Sequence, residues 1–243
     1  MSELKIDYRY PYVYETHLHT SEGSKCAVSS GAEMARACFE AGYTGIMVTD
    51  HFYYGNTAVD RNLSWEDWVH EFCKGYENAK KEGDRLGLQV FFGWEAAYAG
   101  TDFLIYGLSP EWLVSHPEIR DASIAEQFQM VHPHGLVIHA HPFRTDFYIP
   151  EIRLYPEFVD GVETVNATHV SKYSRNHYNP QFDVEAASYA KEYNLTAVAG
   201  SDIHSTELFY GGMGFTHQLE SVADYVAAVK TREDYVLMGT VPS

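Results

Sequence analysis

Thr44-Gly-Ile-Met-Val-Thr-Asp-His51 is the stretch that decides the architecture. It is a short apolar, strand-forming run that stops on an acid and an imidazole. A helix-period segment at 31–41, ended by Gly42, precedes it, and an extended run at 12–17 precedes that. Strand, helix and strand in so short a span predict two parallel strands joined by a crossover helix. Outward from this unit the alternation continues. Residues 64–86 read as one long helix, with Ser64 as N-cap, Glu66 and Asp67 in the first turn, and Lys80, Lys81 and Arg85 late, as the helix dipole prefers. Strands are expected at 89–94, 103–106, 136–140, 161–165, 195–199 and around 235–238, and helices at 123–132, 180–193 and 221–230. About seven strands alternating with helices predict an α/β fold whose parallel sheet is covered by helices. Periodicity alone does not choose between a closed barrel and an open doubly wound sheet. No repeat or linker interrupts the 243 residues, 45% of them hydrophobic, and one domain over 1–243 is expected.

Thirty-four acids against seventeen bases give a formal charge of −17, and the longest basic run is Lys80-Lys81. Such a surface repels polyanions, so no long nucleic acid is expected as a partner. A small phosphorylated substrate stays compatible, because a site holding divalent ions is locally positive whatever the global charge. Cys26, Cys38 and Cys73 are scattered and form no Cys-x-x-Cys pair. With no apolar core of a signal peptide and no run near the roughly 18 residues of a membrane span, the expectation is a cytoplasmic chain that meets no membrane.

Thirteen histidines are the unusual count, and their placement is informative. His17-Leu-His19 follows the first strand, Asp50-His51 the second and Glu95 the third; His141 and Asp202-Ile-His204 follow later ones. In parallel α/β folds the carboxyl ends of the strands share one rim, so these distant residues are expected to converge. On a strand, residues i and i+2 face the same way, so His17 and His19 can grip one ion. Imidazole and carboxylate donors suit zinc, manganese or iron.

The ordered set His-Leu-His-Thr, Val-Thr-Asp-His, Gly-Trp-Glu, Ala-His-Pro-Phe-Arg and Gly-Ser-Asp-Ile-His, with Val-Glu-Thr-Val-Asn at 162–166, resembles the motifs of the polymerase and histidinol phosphatase (PHP) family of metal-dependent phosphoesterases. The resemblance spans about residues 14 to 205. It implies a distorted (β/α)7 barrel with two or three divalent ions at the strand carboxyl ends. By that similarity His17, His19, Glu95 and Asp202 hold one ion, Glu95 and His141 a second, and His51 and His204 a third. The chain departs from the pattern twice. Ser24-Lys25-Cys26 stands where many relatives carry another His or Asp, and Thr101-Asp102-Phe103 where many carry a histidine. Asp102 or His116 is the candidate to complete the site.

Other residues keep two readings. Asp50 either coordinates in place of His51 or orients a ligand. Arg144 either clamps a phosphate or pairs with an acid. His139 shares strand parity with His141 and is either a core residue or a support for the site. Asn166 stands near a strand end, within reach of a substrate or a ligand. His169, Lys172, Arg175 and His177 cluster in one loop. The segments 52–62, 145–152 and 172–179 are expected to overhang the site, and Tyr53, Tyr54, Phe147 and Tyr148 in them can stack on a ring. The expected chemistry is hydrolysis of a small phosphomonoester or phosphodiester by water activated between ions. The alternatives are an exonuclease on very short oligonucleotides, a metal-dependent amide or lactone hydrolase, and a non-catalytic metal-stabilised module.

Overall fold

Serines whose side chains take up free amides start several helices. The computed structural model describes residues 4–174 and 177–239, and Arg175 lies outside them. Strand β1 (Tyr12–Leu18) leads to α1 (Gly31–Glu40), where Ser30 and Glu33 form a reciprocal capping box, and then to β2 (Gly45–Val48). The helix expected at 64–86 is two: α2 (Trp65–Phe72), begun by Ser64 accepting from the Asp67 amide, and α3 (Lys74–Leu86), meeting at Cys73. The break divides two packing tasks. α2 buries Trp68, Val69 and Phe72 among Phe52, Phe92 and Trp94, whereas α3 sets Ala79 against Met34 and Ala35 of α1.

Strands β3 (Gln89–Ala97) and β4 (Asp102–Tyr106) follow, then the short α4 (Pro110–Ser115), α5 (Ile124–Val131) and β5 (Leu136–Ala140). Strand β6 (Gly161–Asn166) runs into a single turn, α6 (Ala167–Val170), followed by α7 (Gln181–Glu192) and β7 (Thr196–Gly200). The chain then adds β8 (Gly212–Phe215), α8 (Val222–Thr231) and β9 (Tyr235–Met238). All nine strands form one sheet in the order β7-β6-β5-β4-β3-β2-β1-β8-β9.

The sheet is mixed rather than parallel. β4 is antiparallel to both β3 and β5, and β8 to both β1 and β9. The reversal at β4 has a local cause. Ala99 and Gly100, with φ of 50° and 89°, make a tight turn in which the Tyr98 amide reaches the Thr101 carbonyl at 2.8 Å, leaving no room for a crossover helix. The sheet also closes. Beyond β7, Ile203 bridges Leu18, the His19 amide donates to the Ile203 carbonyl at 2.9 Å, and Thr16 Oγ1 donates to the Ala199 carbonyl at 2.5 Å. β8 takes the first half of that same edge of β1, at Tyr12, Val13 and Tyr14. The result is a distorted barrel of β1 to β7 whose seam is splayed at one end by the β8–β9 pair. Tyr14, Leu104, Tyr106, Ile138 and Val198 fill the interior, and α8 packs Tyr225 and Val226 against the β4 end away from the rim.

One irregularity aims the first two histidines. Val13 and Leu18, five positions apart, pack in the same outer cluster with Met34 and Cys38 of α1. Strict alternation would put them on opposite faces. The pairing register of β1 on β2 slips between Glu15 and Leu18, so the strand carries one extra residue there. Beyond the slip Leu18 faces out, and His17 and His19 face the barrel interior.

Candidate metal centre

The carboxyl ends of β1, β2, β3, β5, β6 and β7 and the reversed start of β4 meet at one rim. His17, His19, His51, Glu95, His141, Asp202 and His204 are brought together there, around a cavity of ≈ 470 Å³. Glu95 lies at the middle and is wholly buried. Its Oε1 is 3.0 Å from His141 Nε2 and 3.5 Å from His17 Nε2; its Oε2 is 2.7 Å from His51 Nδ1 and 3.5 Å from His19 Nε2. Asp202 Oδ1 is 3.5 Å from His17 Nε2 and 3.3 Å from His19 Nε2. Asp202 and His141 both hold a positive φ, 57° and 28°, which turns their side chains in at the strand ends.

Hydrogen bonds behind the rim settle which nitrogen each ring offers. His17 Nδ1 lies 2.8 Å from Glu163 Oε1, so Nδ1 carries the proton and Nε2 is free. Ser24 Oγ donates to Asp50 at 2.7 Å and can only accept from His19 Nδ1, 3.1 Å away, so His19 also presents Nε2. His204 Nδ1 donates to the Asp202 carbonyl at 3.1 Å. In their neutral forms His17 Nε2 and His19 Nε2 therefore turn two lone pairs toward each other at 3.2 Å, an arrangement that needs a proton or a cation between them. Glu95 Oε2 is buried without a properly directed hydrogen bond. Converging lone pairs and an orphaned carboxylate oxygen are what a cation requires, and the donor set fits divalent ions. Three groups have ligand atoms close enough to share one: His17, His19 and Asp202; His17, Glu95 and His141; His19, His51 and His204.

The electrostatics agree. Burial works against charge at Glu95, yet His51, His141 and His17 hold its carboxyl well below the usual range. Burial likewise opposes ionisation of Asp202, and the Arg144 guanidinium and His17 hold it well below. Burial also opposes protonation of His17 and His51, but the carboxylates beside them raise both well above an ordinary imidazole. Without cations, protons balance the buried acids.

The remaining expectations separate cleanly. Asp50 faces away from the cavity and accepts from the Thr20 amide (2.7 Å), Thr20 Oγ1 (2.6 Å) and Ser24 Oγ. A side chain at Gly23 would strike it, its Cβ lying 2.3 Å from Asp50 Cγ, so glycine is required where this loop crosses. Asp102 lines the cavity, with burial and the Glu95 charge pushing its carboxyl up to about 6. His116 instead stacks on Trp112 at 4.1 Å, away from the rim. His139 stacks on Phe103 in the outer core despite its parity with His141, since the positive φ of His141 ends the alternation. Asn166 turns inward, donating to Glu163 Oε2 at 3.0 Å and capping α6 through Thr168. Tyr54, Phe147, Tyr148 and His177 reach the cavity from the three overhanging segments, while Tyr53 is buried among Trp65 and Trp68 and Lys172 is exposed.

Arg144 lines the cavity but is spent largely on the protein. Its Nη1 meets Asp202 Oδ2 at 2.6 Å, and its Nε donates to His169 Nε2 at 3.0 Å. His169 Nδ1 in turn reaches Asp183 Oδ1 at 2.7 Å. The sequence reading missed this chain, and also missed Glu163, which holds His17, Asn166 and the His141 amide (3.1 Å) at once. The signal for Glu163 was present: an acid inside an apolar strand, in a segment already matched to a motif. Cys26 was likewise passed over. Its Sγ lies 3.2 Å from His51 Nε2, and hydrogen bonds from His204 and His51 outweigh burial to bring the thiol down to about 6.

No protein-family model matches the sequence, nor does any curated protein. Solved structures do match. A two-domain protein from Bacteroides vulgatus, described as containing a predicted PHP-like metal-dependent phosphoesterase, is 16% identical with a TM-score of 0.65. The match covers 95% of this chain and 66% of that one, so this chain spans less than two-thirds of that protein. A protein from Bifidobacterium adolescentis, assigned as a metal-dependent phosphoesterase, is 13% identical with a TM-score of 0.55, over 91% of this chain and 96% of that one. An amidohydrolase from Chromobacterium violaceum, with bound sulfate and no metal, is 15% identical with a TM-score of 0.52, over 79% and 87%. This chain has the fold of the PHP-like metal-dependent phosphoesterases.

Proposed function

We propose that this chain is a metal-dependent hydrolase, and specifically a phosphoesterase acting on a small phosphomonoester or phosphodiester. The observation that carries the reading is the facing pair His17 Nε2 and His19 Nε2, flanked by Glu95 and Asp202 oxygens at 3.3–3.5 Å. Glu163 and Ser24 hold those rings in the ion-binding tautomer, and Arg144 holds Asp202. Two or three ions of zinc, manganese or iron bound there supply Lewis acidity to the phosphoryl oxygens and acidify water toward neutral pH.

Charge favours phosphate over a neutral substrate. Among the described residues Arg144 is the one Arg or Lys lining the cavity, against Glu95, Asp102, Asp146 and Asp202, so the protein alone offers a phosphate no clear positive excess and divalent ions would supply it. Tyr54, Phe147 and Tyr148 line the cavity and are exposed enough to pack against a leaving group. The name of the Chromobacterium violaceum neighbour supports a second reading, amide hydrolysis by the same donors.

The test is a substrate panel on chelated protein reloaded with manganese, zinc or iron: a sugar phosphate, histidinol phosphate, a dinucleotide, an amide and a lactone. Turnover of a phosphate ester alone supports the proposal. Turnover of the amide or lactone alone overturns it in favour of the second reading.

A further inference from the structure

The wall of the cavity nearest His51 and His204 carries a group that the proposed reaction does not use. Cys26 Sγ lies 3.2 Å from His51 Nε2, and His204 lines the same wall. The backbone keeps it there. The Lys25 amide donates to the Asn56 carbonyl and the Val28 amide to the His204 carbonyl, each at 2.9 Å, and Ser24 bridges Thr57. Cys26 is thus tied on one side to the loop carrying His51 and on the other to His204 itself.

The third ligand group, His19, His51 and His204, consists of imidazoles alone, without the carboxylate that the other two possess. His19 Nε2 is the nitrogen offered to the ion beside His17, so His51 and His204 alone leave a divalent ion short of a tetrahedron and without an anionic donor. Ligands bound to zinc at about 2.3 Å for sulfur and 2.0 Å for nitrogen sit roughly 3.5 Å apart in a tetrahedron. The observed separation of 3.2 Å is close to that.

We propose that Cys26 is a thiolate ligand that joins His51 and His204 at this third position, making it a mixed nitrogen–sulfur site unlike the two built on Glu95 and Asp202. The proposal rests on the metal-centre reading above. Binding breaks the S–H bond, forms a sulfur–metal bond and releases the proton to solvent, with no change of oxidation state. Thiolate softness makes this position select zinc or ferrous iron over manganese, whereas the other two accept any of the three.

The experiment reads coordination rather than turnover. Chelated protein is reloaded with cobalt(II), and its absorption is compared with that of Cys26→Ser. The wild type should show a near-ultraviolet sulfur-to-cobalt charge-transfer band that the variant lacks. The variant should bind the ion at this position at least roughly 100-fold less tightly, since losing a direct ligand costs no less than the upper end of what losing an outer partner of one does. Cys38 and Cys73 are buried, so thiol modification of the native wild type reports Cys26 without any substitution, and reloading with cobalt or zinc should protect it. Cobalt uptake with no sulfur band, a band that survives in Cys26→Ser, or an unprotected thiol overturns the proposal and leaves the Glu95 centre standing. A protein that takes up no cobalt, zinc or manganese at all overturns both.

Discussion

Arg144 Nη1 stands 2.6 Å from Asp202 Oδ2, and the two side chains are each about 4% exposed. The other oxygen of that carboxylate faces His17 and His19, so one acid joins a buried cation to the centre of the rim. Asp202 is thereby fixed in rotation as well as in charge. Breaking such a pair by removing one partner costs about 3–5 kcal/mol, because the other charge stays buried and uncompensated. Arg144→Ala should lose that much in urea unfolding. Arg144→Lys cannot serve both Asp202 and His169, and should recover less than half of it. Full recovery by lysine would show that charge alone matters.

Glu163→Gln leaves the cavity lining intact but turns one of two accepting oxygens into a donor and removes the charge, so it cannot serve His17 Nδ1 together with the His141 amide and Asn166. Metal affinity should fall by about 10–100-fold, as it does when an outer partner of a ligating histidine is lost. Calorimetric titration of the chelated variant with zinc checks this. An unchanged affinity would mean that Glu163 only packs.

Burial pushes the Glu15 carboxyl up to about 7, against the opposing pull of the Ser201 and His17 amides, which donate at 2.9 and 3.0 Å. The folded state therefore holds a proton that the unfolded chain releases near 4.5, and stability must fall as pH rises between those values. The difference sets an upper bound of roughly 3 kcal/mol. Glu15→Gln should abolish the slope and be the more stable protein above pH 7. Melting curves of chelated wild type and variant from pH 4 to 8 decide it, and parallel curves would refute the assignment.

Protons hold the places of cations in the metal-free centre, since the neighbouring carboxylates keep His17 and His51 protonated above the ordinary imidazole range despite burial. Ion binding should release protons at neutral pH, and affinity should climb as pH rises from about 6 to 8. Chelation should end hydrolysis and lower the melting temperature, with about 2.7 kcal/mol regained per ion at a hundredfold excess over its Kd. Calorimetry in two buffers of different ionisation enthalpy measures the release. Binding without it would contradict the protonation pattern.

Asp102 and His116, alike as candidates in the sequence, should part in assays. Asp102→Asn alters the cavity wall beside Glu95 and should lower kcat/KM. His116→Ala removes a ring stacked on Trp112 and should leave kcat/KM within about twofold. The reverse ranking would place the site elsewhere.

The strand ends and the residues that meet there were legible because each candidate metal ligand follows an apolar run, and that order survives any change in strand direction. Direction was not legible. Nothing in Gln89–Ala97 or Asp102–Tyr106 differs from a parallel strand, and the reversal lies in the two left-handed residues Ala99 and Gly100 between them. The antiparallel β8, four residues long and half glycine, offers only Met213 and Phe215 as an alternating pair, too short a pattern to mark a strand. Supports such as Glu163, Ser24 and His169 act through single hydrogen bonds across the fold, and only the closed barrel brings them within reach. Parity misled at His139, where a backbone turn intervened, and served at His17 and His19, where an extra residue had already restored it.

That extra residue in β1 makes the centre a matter of strand register as much as of chemistry. Drawn out into regular alternation at unchanged length, the strand would keep every candidate ligand in the gene, yet turn both imidazoles toward α1 and Leu18 into the cavity. Point substitution cannot relocate such a centre along its strand. Lineages that inherit this barrel can exchange what the histidines hold far more readily than they can shift where the histidines look.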